Sequence, residues 1–89
     1  MDTFMVERSL KGISMADLGA AQKAAISTAA DMSRSGTPIS YVRSTFVPET
    51  GACMCLFKAD TAASVKALND KAKIPYDRIV KAMDLTPAS

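Results

Sequence analysis

The stretch ISYVRSTFV-PETG-ACMCLFK, residues 39–58, decides the fold. Two runs rich in β-branched and aromatic residues flank a four-residue connection, and this pattern is typical of a β-hairpin. Pro48 has the fixed φ angle that a type I turn requires, and Gly51 can adopt the left-handed conformation that closes such a turn. We therefore predict two antiparallel strands joined by residues 48–51.

The remaining elements are predicted around this hairpin. Phe4 and Val6 would lie on one face of an extended chain and Met5 on the other, and this alternation indicates a strand. Ser14 is a typical helix N-cap, and Gly36 followed by Pro38 ends the helix that it begins. The predicted elements are a strand at 3–10, a helix at 15–34, the hairpin, a helix from Asp60 or Thr61 to about Lys73, and a strand at 78–85.

Both helices are predicted to be amphipathic, each with one apolar stripe. The stripe of the first helix consists of Met15, Leu18, Ala25, Ile26, Ala29 and Met32. The stripe of the second consists of Val65, Leu68 and Ala72, with Ala62 and Asn69 at its border. The order strand, helix, strand, strand, helix, strand predicts an α+β, ferredoxin-like βαββαβ domain, with one four-stranded antiparallel sheet and both helices on one face.

Both faces of the hairpin are predicted to be apolar. In its first strand we expect Ile39, Tyr41, Thr45 and Val47 on one face and Val42 and Phe46 on the other. In its second strand we expect Met54 and Leu56 on one face and Cys53, Cys55 and Phe57 on the other. Two helices can cover only one face of the sheet, so we expect a second copy of the chain to cover the other. The predicted partner is therefore the chain itself, in a homodimer that pairs sheet to sheet.

Length and composition restrict the function. The 89 residues suffice for one domain, with a core at about 3–85 and a short tail at 86–89. The net charge of +2 is scattered and aromatic residues make up 6%, so we expect no nucleic-acid partner. No apolar run is long enough to span a membrane, and the N-terminus lacks the pattern of a signal peptide. Two unpaired cysteines indicate a reducing compartment, so we expect a cytoplasmic protein.

Several segments together resemble a known family. They are Val6-Glu7-Arg8, Tyr41-Val42-Arg43-Ser44, Cys53-Met54-Cys55-Leu56-Phe57, the helix that carries Val65, Leu68-Asn69 and Ala72, and the turn Ile74-Pro75 with Asp77-Arg78-Ile79. Over about residues 3–85 the chain is similar to a family of small, mostly bacterial domains of unknown function named after a nickel-binding member. The resemblance implies a ferredoxin-like protomer that dimerises into an α/β barrel. Nickel ligation in that family is by histidine, and this chain contains none, so we expect no metal and no cofactor.

Five residues are candidates for a ligand site. Glu7 and Arg43 are charged strand residues that together could bind a small anionic or polar ligand, or else fix strand register as an ion pair. Tyr41 and Asn69 could flank a cleft between the sheet and the helices. Cys55 forms a Cys-x-Cys pair with the other cysteine, which is either a structural feature or part of a soft-metal or redox site.

The preferred hypothesis for function is a small homodimeric protein that binds a small molecule in a cavity between sheet and helices. The first alternative is a cofactor-free oxygenase- or isomerase-like enzyme that uses Glu7 or Arg43. The second is a metal-binding protein that uses the cysteines, which the absence of histidine disfavours. Gln22 interrupts the apolar stripe of the first helix, and we expect it to bond a loop carbonyl rather than to contact the cavity.

Overall fold

A computed structural model describes residues 1–87. Its elements are β1 (Asp2–Ser9), α1 (Met15–Arg34), β2 (Ile39–Val47), β3 (Ala52–Ala59), α2 (Ala62–Ala72) and β4 (Arg78–Ala82). The predicted βαββαβ order is confirmed. Residues 86 and 87 follow the last strand without regular structure, and the last two positions of the predicted tail, 88 and 89, lie outside the described residues.

The four strands form one antiparallel sheet in the order β2-β3-β1-β4. The two central strands, β1 and β3, pair along their full length, from Asp2 opposite Ala59 to Ser9 opposite Ala52. One face of the sheet packs against both helices, and the core between them contains Val6, Phe57 and Leu68, each of which is fully buried. The prediction that both helices lie on one face is therefore confirmed.

Both helices begin and end as local sequence dictates. The Ser14 side chain accepts a hydrogen bond from the Asp17 amide at 3.0 Å and so caps α1. At the other end, the Thr37 amide donates to the Met32 carbonyl at 2.9 Å, around Gly36 with a φ of 98°, which is a Schellman motif. Thr61, one of the two predicted caps, caps α2 through the Ser64 amide.

The hairpin turn depends on glycine at position 51. Its φ is 81°, and its amide donates to the Val47 carbonyl at 2.8 Å, which closes the turn. A side chain here would also collide with the neighbouring loop, because an added Cβ would lie 2.3 Å from the Cα atom of Lys11. The Gly51 carbonyl accepts a hydrogen bond from the Leu10 amide at 2.7 Å. The turn is thereby joined to the end of β1.

A β-bulge in β2 makes the predicted face assignment of that strand wrong. Tyr41 pairs with Phe57, but the next paired residue is Arg43, opposite Leu56, so Val42 is an extra residue in the ladder. An extra residue reverses the alternation of every side chain after it. The side chains that face the helices are therefore Ile39, Tyr41, Ser44 and Phe46. In β3, where no bulge occurs, the predicted faces are confirmed.

Three further details of the predicted packing are wrong. Met15 and Ile26 are 72% and 48% exposed, because the face of α1 that contacts the sheet is centred nearer Ala25, about 100° around the helix from Ile26. Asn69 is fully buried and not at the border of the stripe on α2. The last strand ends at Ala82, opposite Thr3, and not at Leu85, because β1 begins at Asp2 and has no residue with which Leu85 could pair.

The face of the sheet away from the helices is open and partly apolar. Met5, Met54, Leu56 and Val80 occupy its centre and are half-buried by one another and by neighbouring polar side chains. We call these four residues the open-face patch. Within residues 1–87, neither helix combines the length and the hydropathy that crossing a membrane would require.

Candidate functional site

A cavity of about 160 Å³ lies between the sheet and α1. Its walls are lined by Arg8, Leu10, Leu18, Ala21, Gln22, Ala25, Tyr41, Ser44, Phe46, Cys53, Cys55 and Ile74. The small side chains of α1 leave this space, because alanine occupies two of the positions that face the sheet. At its inner end the cavity reaches the buried side chains of β1 and β3, and its mouth lies beside the exposed residues Gln22 and Ser44.

A buried arginine forms the inner end of the cavity. Only 4% of Arg8 is exposed. Its Nη1 donates to Asn69 Oδ1 at 2.7 Å and to the Pro75 carbonyl at 3.2 Å, and its Nε donates to Cys55 Sγ at 3.4 Å. Every one of these acceptors is an amide, a peptide carbonyl or a sulfur. Arg8 makes no ion pair with any carboxylate of residues 1–87.

The strand and the helix around this arginine hold it in place. Strand alternation puts Arg8 on the same face of β1 as Phe4 and Val6, so its guanidinium points into the core and not into solvent. Asn69 is fixed in turn, since its Nδ2 donates to the Val65 carbonyl at 2.8 Å, which orients Oδ1 towards the arginine. The guanidinium is therefore held by a neighbour whose own amide group is hydrogen-bonded to the helix.

The two cysteines lie side by side on the wall formed by β3. Both thiols are free, with their sulfur atoms 3.8 Å apart. Burial, together with the adjacent Cys55, raises the pKa of the Cys53 thiol to about 11, although Arg8 acts in the opposite direction. The Cys55 sulfur also accepts a hydrogen bond from Ser44 Oγ at 3.0 Å. At neutral pH, Cys53 is thus an uncharged part of the wall.

A series of polar contacts connects the cavity mouth with the arginine. Gln22 Nε2 donates to Tyr41 Oη at 3.0 Å, and Tyr41 Oη lies 2.6 Å from Ser44 Oγ, which reaches Cys55. The Tyr41 ring packs edge-on against Phe57, with 5.6 Å between ring centroids. The expectation that Gln22 bonds a loop carbonyl is wrong, since it lines the cavity and bonds the tyrosine. One wall of the cavity is therefore polar from its mouth to its inner end.

The structure divides the five predicted site residues into two groups. Tyr41 and Cys55 line the cavity, and Asn69 lies directly behind its inner end. Glu7 and Arg43 lie on the open face, where each forms an ion pair, Glu7 with Arg78 and Arg43 with Asp84. They do not meet each other, and they do not line this cavity. Their predicted part in ligand binding stays a prediction.

Arg8 is the site residue that sequence reasoning missed. Arg8 follows Glu7, a charge of opposite sign, and on a strand these two side chains point to opposite faces. The signal that identifies the inward one is the alternation with Phe4 and Val6, which extends without interruption to Arg8. A charge at the end of an apolar face is a stronger indication of a site than a charge among polar neighbours.

The comparison with known proteins supports the fold and gives the family. A family model described as nickel-responsive, SCO4226-like proteins matches residues 4–81. The chain belongs to this family. No curated protein sequence matches the chain at a significant level. The crystal structure of SCO4226 from Streptomyces coelicolor A3(2) matches with a TM-score of 0.79 and 20% identity, over 94% of this chain and 99% of that one. At this identity the match shows a shared fold.

The donor atoms of this member of the SCO4226-like family do not fit a nickel site. The chain has no histidine. Within residues 1–87, no three or more cysteine, aspartate or glutamate side chains come together in a way that could hold a metal ion. The two thiols of Cys53 and Cys55 supply only two ligands, fewer than a closed tetrahedral site needs. The described wall of the cavity therefore lacks a full set of nickel ligands.

Proposed function

We propose that this protein binds a small molecule in the cavity between the sheet and α1. The observation that carries the proposal is the Arg8 guanidinium, which lies at the inner end of the cavity without a carboxylate partner in residues 1–87. Burying a charge is costly unless it is paired or fully bonded, and a protein keeps such a group where it has a use. Pockets of this kind, apolar with a few fixed polar groups, are the usual form of small-molecule sites.

The dimensions of the cavity limit the size of the ligand. Its volume of about 160 Å³ is close to that of an engineered protein cavity of ~150 Å³ that binds benzene. The apolar part of the lining comes from Leu10, Leu18, Phe46 and Ile74. A molecule with one small ring, or a short chain of similar bulk, fits this space.

Native mass spectrometry of the protein as purified tests this proposal. We expect a mass above that of the 9.4 kDa chain under gentle conditions, with the excess lost on denaturation. Ala21 lines the cavity, so Ala21→Leu should fill it and remove the excess mass. Ala20 is the adjacent exposed residue, and Ala20→Leu should retain the excess. A ligand retained equally by both variants would contradict binding in this cavity.

We also propose that the protein is a homodimer joined through the open faces of two sheets. The support is the open-face patch, four apolar side chains at the centre of a sheet face that neither α1 nor α2 covers. A two-fold axis through such a patch brings each residue near its own copy, so that one surface is complementary to itself. The ion pairs Glu7–Arg78 and Arg43–Asp84 lie on the same face, where they would surround an apolar centre.

A cytoplasmic location fits both proposals. The free thiols of Cys53 and Cys55 persist in a reducing compartment, and the wall of the cavity contains both. Light scattering at micromolar concentration tests the assembly directly. The expected mass is about twice that of the 9.4 kDa chain, and a well-folded monomer would contradict it.

A further inference from the structure

We propose that the ligand is a small organic monoanion, of the carboxylate class, whose charged group pairs with Arg8. This inference rests on the proposed function and adds the chemistry of the ligand to it. A hydrogen bond from a guanidinium N–H to a carboxylate is charge-assisted and is roughly twice as strong as one between neutral groups, so a neutral ligand would bind less tightly here. The inner end of the cavity then binds the anionic group, and the apolar body of the ligand lies against α1.

The first step of the argument is the charge balance around Arg8. Its partners are Asn69, Pro75 and Cys55, and the contacts use an amide oxygen, a carbonyl oxygen and a sulfur. The three contacts use Nε and Nη1, and none of them uses Nη2. We assign this second terminal nitrogen to the ligand. None of the cavity-lining side chains in the described part of the chain is a carboxylate, so the wall itself offers no competing anion.

The second step concerns the thiols of Cys53 and Cys55, which also lie in the described wall and could supply negative charge. Cys53 does not, because burial keeps its thiol protonated at neutral pH by raising its pKa to about 11. Cys55 is the internal competitor, since its sulfur accepts hydrogen bonds from both Arg8 and Ser44. Were it a thiolate, the arginine would already be paired. The experiment therefore has to distinguish an anion supplied by a ligand from one supplied by Cys55.

The third step concerns shape. The mouth is flanked by Gln22, Tyr41 and Ser44, so a charged group can stay hydrogen-bonded along one wall as it enters. The opposite side of the cavity is formed by apolar side chains, including Leu18 and Phe46, which suit a hydrocarbon body. An inorganic anion would leave that part empty. A monocarboxylate with a single small ring fills both parts.

Calorimetric titration with benzoate and its neutral isostere benzamide tests the inference on the wild-type protein. Any molecule carried through purification is first removed by unfolding and refolding. We expect benzoate to bind at least tenfold more tightly than benzamide, a difference of about 1.4 kcal/mol. Arg8→Gln should remove this preference. Arg34→Gln, which changes an exposed arginine at the end of α1, should leave it unchanged. Repeating the pair with butyrate and butyramide covers ligands without a ring.

The outcomes separate this inference from the proposed function. Equal binding of the acids and their amides would overturn the anionic ligand and leave a small-molecule cavity intact. If no acid binds while native mass spectrometry still shows a retained ligand, the anionic class is again wrong. Rapid alkylation of Cys55 by iodoacetamide at pH 7, blocked in Arg8→Gln, would show that the thiolate is the partner and would also overturn the inference. The acid–amide comparison needs no variant, so it stands even if Arg8→Gln does not fold.

Discussion

The contact between Arg8 and Asn69 allows the energetics of the site to be predicted from the structure. Asn69 is fully buried, and its Oδ1 accepts the shortest of the three arginine hydrogen bonds, at 2.7 Å. Asn69→Leu keeps the volume of the side chain and removes this acceptor, so the guanidinium stays buried with two partners. The substitution also removes the bond from Nδ2 to the Val65 carbonyl, which α2 can in part replace because that carbonyl already lies within the helix.

The expected cost follows from the charge on the donor. A hydrogen bond to a charged group contributes about 1.5–3 kcal/mol, so we expect Asn69→Leu to lower the free energy of unfolding by about 2 kcal/mol. For a domain of this size, 1 kcal/mol moves the melting temperature by roughly 4–8 °C, so the expected decrease is roughly 8–16 °C. Lys66→Leu is the matched control on the same helix, since its exposed ion pair with Asp70 should contribute less than about 1 kcal/mol.

A double-mutant cycle measured by urea unfolding isolates the contact. Combining Asn69→Leu with Arg8→Met removes donor and acceptor together, so the two losses should not add, and the coupling should be at least about 1 kcal/mol. Protomer concentration has to be the same for all four proteins, because association would add to the apparent stability. Additive losses, or a loss on Asn69→Leu no greater than that of Lys66→Leu, would refute the account of a charge held by its neighbour.

Four further outcomes are expected. Leu56→Asp places a charge in the open-face patch and should halve the mass measured by light scattering. The control Ala30→Asp, on the exposed side of α1, should leave the mass unchanged. If the mass is unchanged in both variants, the sheet-to-sheet dimer is contradicted. Thr61→Ala removes the cap of α2 and should cost about 1 kcal/mol in thermal unfolding. The pKa of the Cys53 thiol is raised from 9.0 to about 11, so the folded state binds this proton more tightly than the unfolded chain does. The thiol's contribution to the free energy of unfolding is therefore fully present below pH 9 and is lost as the pH rises towards 11. Subtracting the pH profile of Cys53→Ala from that of the wild type isolates this loss. Untagged protein grown with added nickel should contain no stoichiometric nickel by elemental analysis.

The elements of this fold were predictable because local sequence determines them. A capping serine, a glycine–proline break and runs of β-branched residues act within a few residues of where they stand, so α1 and the hairpin were predicted nearly to the residue. The bulge was not predictable, because Val42 resembles any other strand residue, and only the pairing with β3 shows that it is the extra one. The faces assigned after it were therefore reversed.

The candidate site was predicted in part, for a similar reason. Tyr41, Cys55 and Asn69 were identified by residue type, and the cavity or its inner end includes all three. Arg8 and Glu7 are adjacent charges of opposite sign on opposite faces of one strand, and residue type alone does not tell which faces the helices. The alternation with Phe4 and Val6 places Arg8 on the apolar face, but its partner there, the buried amide of Asn69, lies 61 residues away in sequence.

The bulge also affects how the site can change during evolution. Val42 is the extra residue of the ladder, so deleting it would remove the bulge and leave Arg43 on the open face and Ser44 in the cavity wall. A single-codon deletion at this point could thus be accommodated without changing the chemistry of the wall. In an alignment of relatives, a gap at this point would therefore leave the residues of the binding surface unchanged.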